Sequence, residues 1–215
     1  MNTGNYLENN KVNICGTVAS ETEFSHEVYE ESFYSFMLEV PRLSGAEDKI
    51  RITVSEKFLA TNPVVLGNRV AIEGQFRSYN NFTGEGNRLI LTVFVKNIRN
   101  LDEDECYDFE NVISLNGYIC KEPVYRTTPF GREIADILLA VNRSYNKSDY
   151  IPCIAWGRNA KYAQSLSVGD NIIIKGRIQS REYQKRIDET QVENKTAFEV
   201  SVSRLEKINF FEEEA

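Results

Sequence analysis

Hydrophobic and polar residues alternate with a period of two through most of this chain, which is the pattern of half-buried β-strands. In residues 111–119, Ile113 and Leu115 fall on one face and Ser114 and Asn116 on the other. The pattern predicts strands near 11–19, 32–41, 48–55, 69–79 and 88–99, and again near 111–119, 132–142, 149–156, 171–183 and 196–207.

A short helix is predicted in each half of the chain, between the third and fourth strands. Residues 158–166 place Ala160, Ala163 and Leu166 on one helical face. Residues 56–64 fill the matching position, where Pro63 stops the helix early. Three strands, a short helix and two strands is the element order of a five-stranded Greek-key barrel of the OB type. The sequence therefore predicts an all-β chain with two tandem OB-fold barrels, each with a short helix between strands three and four.

The two halves are copies of one another. Identical residues recur at a spacing of 101 positions, and of 102 after one inserted residue, in the pairs Gly16 and Gly117, Val40 and Val141, Arg42 and Arg143, Asp48 and Asp149, Gly67 and Gly169, and Gly74 and Gly176. A period this long indicates a duplicated domain, since solenoid repeats run roughly 20–50 residues. The predicted division is a flexible leader at 1–9, a first domain at 10–100, an acidic linker at 101–110, a second domain at 111–208 and a short acidic tail at 209–215.

Charge is divided unequally between the copies. The chain of 215 residues has a net charge of −7, which taken alone argues against a polyanionic partner. Residues 1–110 hold 10 Lys and Arg against 18 Asp and Glu, whereas residues 111–211 hold 15 against 11. A nucleic acid is therefore expected to be repelled by the first copy and attracted to the second.

The second copy interleaves aromatic and basic residues. The candidates to stack on bases are Tyr145, Tyr150, Trp156 and Tyr183. The cations between them, candidates to follow phosphates, are Arg126, Arg132, Arg143, Lys147, Arg158, Lys161, Arg181, Lys185 and Arg186. Every base has a flat π-face, so such a surface binds single strands with little sequence preference. The residues alone also allow another interpretation, in which the aromatic side chains pack on the barrel and the cations are simply solvated. Trp156 stands one position beyond the apolar residues 151, 153 and 155, which places it on the opposite face of the strand, and Tyr183 lies among charged residues, which favours its exposure.

Several blocks of the second copy resemble the bacterial single-stranded-DNA-binding protein family. They are NVISLNGYI at 111–119, EPVYRTTPFG at 122–131, AVNRSY at 140–145, DYIPCIAWGR at 149–158 and GRIQSREY at 176–183, in the order and at the spacing of that family. The resemblance implies that Tyr145, Tyr150, Trp156 and Tyr183 stack on bases. It also implies that the basic residues around them contact the DNA backbone.

The first copy departs from this pattern. Its matching positions are Ser44, Lys49, Ser55 and Asn81, the last beside Phe82, so that only Tyr79, Phe82 and Arg77 remain to contribute to a nucleic-acid surface. Members of the family usually end in a long flexible tail with an acidic tip that recruits replication and repair proteins. Residues 209–215, NFFEEEA, have acidic and aromatic residues but no spacer, so recruitment through this end is not predicted.

Catalytic and metal chemistry have little support in the sequence. Cys15, Cys106, Cys120 and Cys153 form no C-x-x-C pair, and His26 is the one histidine, so buried free thiols are expected and no metal or cofactor. No membrane span or secretory signal is visible, which predicts a cytoplasmic protein. The predicted function is non-enzymatic, sequence-independent binding and protection of single-stranded DNA in replication, recombination or repair, by a dimer with four OB folds. The alternative is a primosomal or recombination accessory protein whose OB folds act mainly as protein–protein adaptors.

Overall fold

The structure, a computed structural model, describes residues 9–81, 88–102, 105, 111–186 and 192–208. At strand positions 81, 88, 183–186 and 192–195 it describes the backbone alone. The predicted leader except Asn9, most of the predicted linker and the predicted tail lie outside these residues.

The first copy is a closed β-barrel. Its elements are β1 (Asn10–Val18), β2 (Glu23–Val28), β3 (Glu31–Pro41), β4 (Glu47–Ser55), α1 (Glu56–Thr61), β5 (Arg69–Asn81) and β6 (Arg88–Asn100). The strand order is β1-β5-β6-β4-β3-β2, and a further pairing of β1 with β3 closes the barrel. Strands β4 and β6 are parallel, as the Greek-key connection requires, and the neighbouring pairs are antiparallel. This is the OB topology that the element order predicts.

The second copy repeats the same topology. Its elements are β7 (Asn111–Thr127), β8 (Glu133–Arg143), β9 (Lys147–Trp156), α2 (Arg158–Ala163), β10 (Asn171–Arg186) and β11 (Val192–Lys207). The order β10-β11-β9-β8-β7 is closed by pairing of β10 with β7, and β11 runs parallel to β9. The all-β fold with two OB barrels is therefore confirmed.

Three details of the elements differ from the sequence prediction, and one is that β7 runs on to Thr127 rather than ending near residue 119. The first copy has an additional strand, β2, which pairs with β3 and is mostly exposed, so its residues show little of the alternation that marks the other strands. Helix α2 ends at Ala163 rather than at residue 166. Ala160, Ala163 and Leu166 are nevertheless all buried, as the helical pattern predicts.

Repeated glycines mark places where strands cross too closely for a side chain. A Cβ added at Gly16 would overlap the carbonyl oxygen of Glu39, and one added at Gly117 would overlap that of Ala140. The duplicated glycine therefore has the same packing role in both barrels, close approach of β1 to β3 and of β7 to β8.

The compact units of the chain do not coincide with the two sequence copies. One unit holds Val12–Val112 together with Ile178–Glu199, and the other holds Met1–Lys11, Ile113–Arg177 and Val200–Ala215. The outer part of the β10–β11 hairpin therefore packs with the first copy. The predicted domain bounds at residues 100 and 111 describe the repeat in the sequence and remain a prediction.

Asn9, at the end of the predicted flexible leader, has defined partners in the second copy. Its backbone oxygen accepts a hydrogen bond from the N–H of Asn116 at 2.7 Å, and its side-chain amide donates to the oxygen of Asn142 at 2.7 Å. Asn9 is therefore fixed to β7 and β8 by these two hydrogen bonds.

The thiols and ionisable groups form no metal site among the residues that the structure describes. Cys15 and Cys153 are buried free thiols, as predicted, whereas Cys120 is only half-buried and Cys106 lies outside the described residues. Burial raises the pKa of the Cys120 thiol, which lowers its reactivity. Within the described ranges, no helix is long and apolar enough to cross a membrane.

Candidate nucleic-acid interface

Strand β9 presents two aromatic side chains on the outside of the second barrel. Residues 151, 153 and 155 point into the barrel and are buried. The alternate positions face outward, with Tyr150 48% exposed and Trp156 36% exposed. The two rings lie on the same strand face, about 20 Å apart at the usual rise per residue. The predicted outward orientation of Trp156 is thus confirmed, although its binding role stays a prediction.

Tyr145 is displayed from the turn between β8 and β9. Its side chain is 93% exposed, and both Tyr145 and Asn146 have positive φ, at 63° and 53°. Left-handed backbone is unfavourable for a tyrosine, and such strain is concentrated at functional positions. An exposed ring on a strained turn supports the prediction that Tyr145 meets a ligand.

An open groove of about 760 Å³ starts at Trp156 and follows helix α2. It is lined by Trp156, Arg158, Asn159, Tyr162, Ser203, Leu205, Glu206 and Lys207. Trp156 and Arg158 are therefore brought together, as the sequence predicts. Tyr162, which is 41% exposed, is an additional aromatic that sequence reasoning missed. Its position on α2, next to the buried Ala163 but on the other side of the helix, was the available signal.

The predicted cations differ in how free they are to meet a phosphate. Lys147 and Arg158 are exposed, and no carboxylate of the described residues lies within 4.0 Å of either. Arg126 instead forms a two-point interaction with Asp136, at 2.8 and 3.2 Å. Lys147 and Arg158 are therefore the better candidates for direct phosphate contacts.

Other predicted cations are also bound to acidic groups. Arg143 lies 3.4 Å from the buried Asp149, and Arg181 lies 3.7 Å from Glu199. Lys161 binds Glu133 at 3.1 Å, and this partner raises the pKa of the lysine. The hydrogen bonds from Tyr125 and then Lys161 lower the pKa of Glu133. Arg132 is exposed in the turn before β8.

The hairpin that carries the remaining candidates is anchored to the first copy. The buried carboxylate of Asp48 accepts hydrogen bonds from the Ser180 backbone N–H and the Arg42 guanidinium. Arg42 also donates to the Ser180 oxygen at 2.9 Å, and the N–H of Lys49 donates to the Ser180 hydroxyl at 3.0 Å. The next residues of β10 are Arg181 and, beyond it, Tyr183, Lys185 and Arg186, whose side chains lie outside the described residues.

In the first copy, the position matching Trp156 has a different role. The Ser55 hydroxyl accepts a hydrogen bond from the N–H of Lys57 at 3.2 Å and so caps helix α1. It also donates to the carboxylate of Glu31. Helix α2 has no such cap, because its N-cap residue is Gly157. Ser44 and Lys49, the matches of Tyr145 and Tyr150, are exposed, whereas the Asn81 side chain and Phe82 lie outside the described residues.

Comparison with known proteins agrees with this division of the chain. The model of the single-strand binding protein family matches residues 110–208. Single-stranded DNA-binding protein 1 of Staphylococcus aureus (strain COL) is 37% identical over 83 residues, which are 35% of this chain and 50% of that protein. The chain spans about half the length of the curated relatives it matches.

Solved structures extend the likeness to the whole chain. The wild-type single-stranded DNA binding protein from Thermus aquaticus has a TM-score of 0.73 at 19% identity, and the match covers 96% of each chain. The N-terminal domain of the PriB protein from Thermoanaerobacter tencongensis is 47% identical over 45% of this chain and 100% of that chain, with a TM-score of 0.41. The Thermus likeness confirms the fold of both copies, and the family model assigns the second. Residues 110–208 of this chain therefore match the single-strand binding protein family.

Proposed function

We propose that this protein binds single-stranded DNA without sequence preference, with the second copy as the main binding module. Bases stack on the exposed aromatic rings, and phosphates pair with the unoccupied cations nearby. The observation that carries the proposal is the outward display of Tyr150 and Trp156 on β9, in a segment that matches the single-strand binding protein family.

The binding role fits protection of exposed strands during replication, recombination or repair in the cytoplasm, by association alone and without catalysis. A dimer, with two barrels in each chain, would supply four OB folds. Light scattering that finds a dimer at micromolar concentration supports this assembly, and a monomer under those conditions contradicts it.

Fluorescence of the single tryptophan tests the main proposal directly. Trp156 is the one tryptophan of the chain and belongs to the candidate interface, so a stacked base is expected to quench its fluorescence. Titration with oligo-dT is expected to quench the emission strongly at low salt and to need more DNA at high salt, because phosphate contacts release counterions. Absence of quenching at low salt contradicts DNA binding and favours a protein–protein adaptor on the same fold.

A further inference from the structure

The first copy carries a row of aromatic rings at positions unlike those of the second copy. The rings belong to His26 on β2, Phe33 on β3 and Phe94 on β6. His26 and Phe33 are stacked, with centroids 5.0 Å apart and planes within 9°, and the centroids of Phe33 and Phe94 are 5.5 Å apart. His26 is exposed and Phe94 is half-buried, so the row reaches the surface at both ends.

The row differs from the second copy because, in one pair of opposed residues, the aromatic side chain belongs to the other strand. In the second copy Ile134 on β8 lies directly opposite Trp156 on β9. In the first copy Phe33 on β3 lies directly opposite Ser55 on β4. Side chains of directly opposed residues share one face and lie next to each other. Each copy therefore has one aromatic ring in this pair, on β9 in the second copy and on β3, the partner of β4, in the first.

The small residues of β4 leave room for the row. Thr53 is the register partner of Phe94 in the parallel pair of β4 and β6, and Ser55 is the partner of Phe33. Both hydroxyl side chains are buried, and their small size leaves space for the rings of Phe33 and Phe94 to contact each other. The second copy has Ile154 and Trp156 at the matching positions, so in that copy the large side chains belong to β9.

Cations lie beside the same rings. The Cζ atom of Arg77 is 3.8 Å from the centroid of Phe94, and the Nζ atom of Lys96 is 5.7 Å from it. Burial and then the charge of Arg77 lower the pKa of Lys96, which means that the two cations repel each other. Arg51 lies on β4, two residues before Thr53 and hence on its strand face. No carboxylate of the described residues lies within 4.0 Å of Arg51 or Lys96.

We infer that this face, formed by His26, Phe33, Phe94, Arg51, Arg77 and Lys96, is a second binding surface for single-stranded DNA. The inference rests on the proposed function and extends it to the first copy. A base stacks on the outer face of the His26 ring, and a phosphate between Arg77 and Lys96 relieves their repulsion.

The acidic character of the first copy does not prevent this binding. The carboxylate closest to the row along β3 is Glu31, which Lys57 binds at 2.7 Å and which also accepts a hydrogen bond from Ser55. Charges further away are screened, since the Debye length is about 8 Å at physiological ionic strength. Glu31 is therefore already paired, and Arg51, Arg77 and Lys96 add positive charge to the face that holds the rings.

The test compares two double variants of the full-length protein. The variant Arg77→Gln with Lys96→Gln removes two cations from the inferred surface. The matched control, Lys11→Gln with Arg99→Gln, removes the same charge from β1 and from a cation paired with Glu105. Phe94→Leu keeps an apolar side chain but removes the ring, and thermal unfolding of each variant checks that the barrel is intact.

Binding is measured in two ways with oligo-dT of about eight nucleotides, a length suited to one OB fold. Anisotropy of labelled DNA counts all bound strands, whereas quenching of Trp156 reports on the second copy. The wild type and the control are expected to bind two strands per chain. R77Q/K96Q is expected to bind one, with an unchanged quenching curve, and F94L to bind the second strand at least about fivefold more weakly.

Different failures identify different errors. A wild type that binds one strand per chain, with the same stoichiometry and salt dependence in R77Q/K96Q, overturns the inferred surface but leaves the proposed function standing. A wild type that binds no oligo-dT by either method overturns the proposed function itself.

Discussion

The carboxylate of Asp48 accepts a hydrogen bond from the backbone N–H of Ser180 at 2.6 Å, across 132 residues of sequence. Asp48 is fully buried and is also bound by Arg42, so a charge-assisted network joins the first copy to the hairpin of the second. Because Arg181 and Tyr183 follow directly on the same strand, the first copy helps to set the position of a predicted DNA-binding element.

Replacement of Asp48 by Asn is expected to weaken both folding and binding. Hydrogen bonds to a charged group contribute about 1.5–3 kcal/mol, so Asp48→Asn should lower the free energy of unfolding by about 2 kcal/mol. Affinity for oligo-dT should fall as the hairpin loosens. Denaturant titration and anisotropy measure the two effects. Asp136→Asn, which affects an exposed pair with Arg126, is the control and should cost less than about 1 kcal/mol. Equal losses in the two variants would show that Asp48 has no special role.

Removal of the Trp156 ring is expected to reduce DNA affinity without a large loss of stability. A stacked base contributes roughly 1–3 kcal/mol, so Trp156→Ala should weaken binding of labelled oligo-dT by about 5- to 150-fold. Tyr29→Ala is the control, because Tyr29 is 99% exposed and lies in the turn between β2 and β3, in the first copy. If both variants bind equally well, Trp156 does not stack on DNA.

The salt dependence of binding should distinguish the cations. Each phosphate contact to a single strand contributes about 0.7 to the slope of log affinity against log salt concentration. Lys147→Gln and Arg158→Gln should therefore each reduce the slope by about 0.7. Arg126→Gln should change it less, because Asp136 already binds that guanidinium. A slope that falls most in Arg126→Gln would mean that the pair opens to meet the DNA.

The decrease in the free energy of unfolding at acidic pH should depend on Asp170. The side-chain hydrogen bond from Lys207 and then the backbone N–H of Ser167 lower the pKa of Asp170. A carboxylate whose pKa is lower in the folded state stabilises the protein above its unfolded pKa of about 3.9. That contribution is lost as the pH falls through the folded pKa. The wild type should therefore be more stable than Asp170→Asn at neutral pH, and the difference should shrink below about pH 4. A difference that does not vary with pH contradicts this assignment.

The sequence predicts the fold well because the decisive signals are local. Alternation along each strand depends only on neighbouring residues, and the offset between Gly16 and Gly117 appears as soon as the sequence is compared with itself. The outward face of Trp156 follows from the same alternation. The Asp48–Ser180 contact was not predictable in this way, since no local pattern pairs residues 132 positions apart.

The aromatic row of the first copy was missed for a related reason. When the two copies are aligned position by position, Ser55 stands in place of Trp156, which indicates only that an aromatic ring is missing. Only the register of β3 against β4 shows that Phe33 stands beside that position. An aromatic ring on the opposed strand can lie next to the matching position in space although it is distant in the sequence.

The left-handed turn at Tyr145 and Asn146 implies a trade-off for any attempt to make this protein more heat-resistant. Glycine tolerates that backbone far better than tyrosine, so Tyr145→Gly would relieve the strained turn. The same substitution would remove the most exposed ring of the candidate interface. Under the proposed function, stabilisation at this turn would therefore weaken DNA binding, and thermostable variants are better sought in the buried strands.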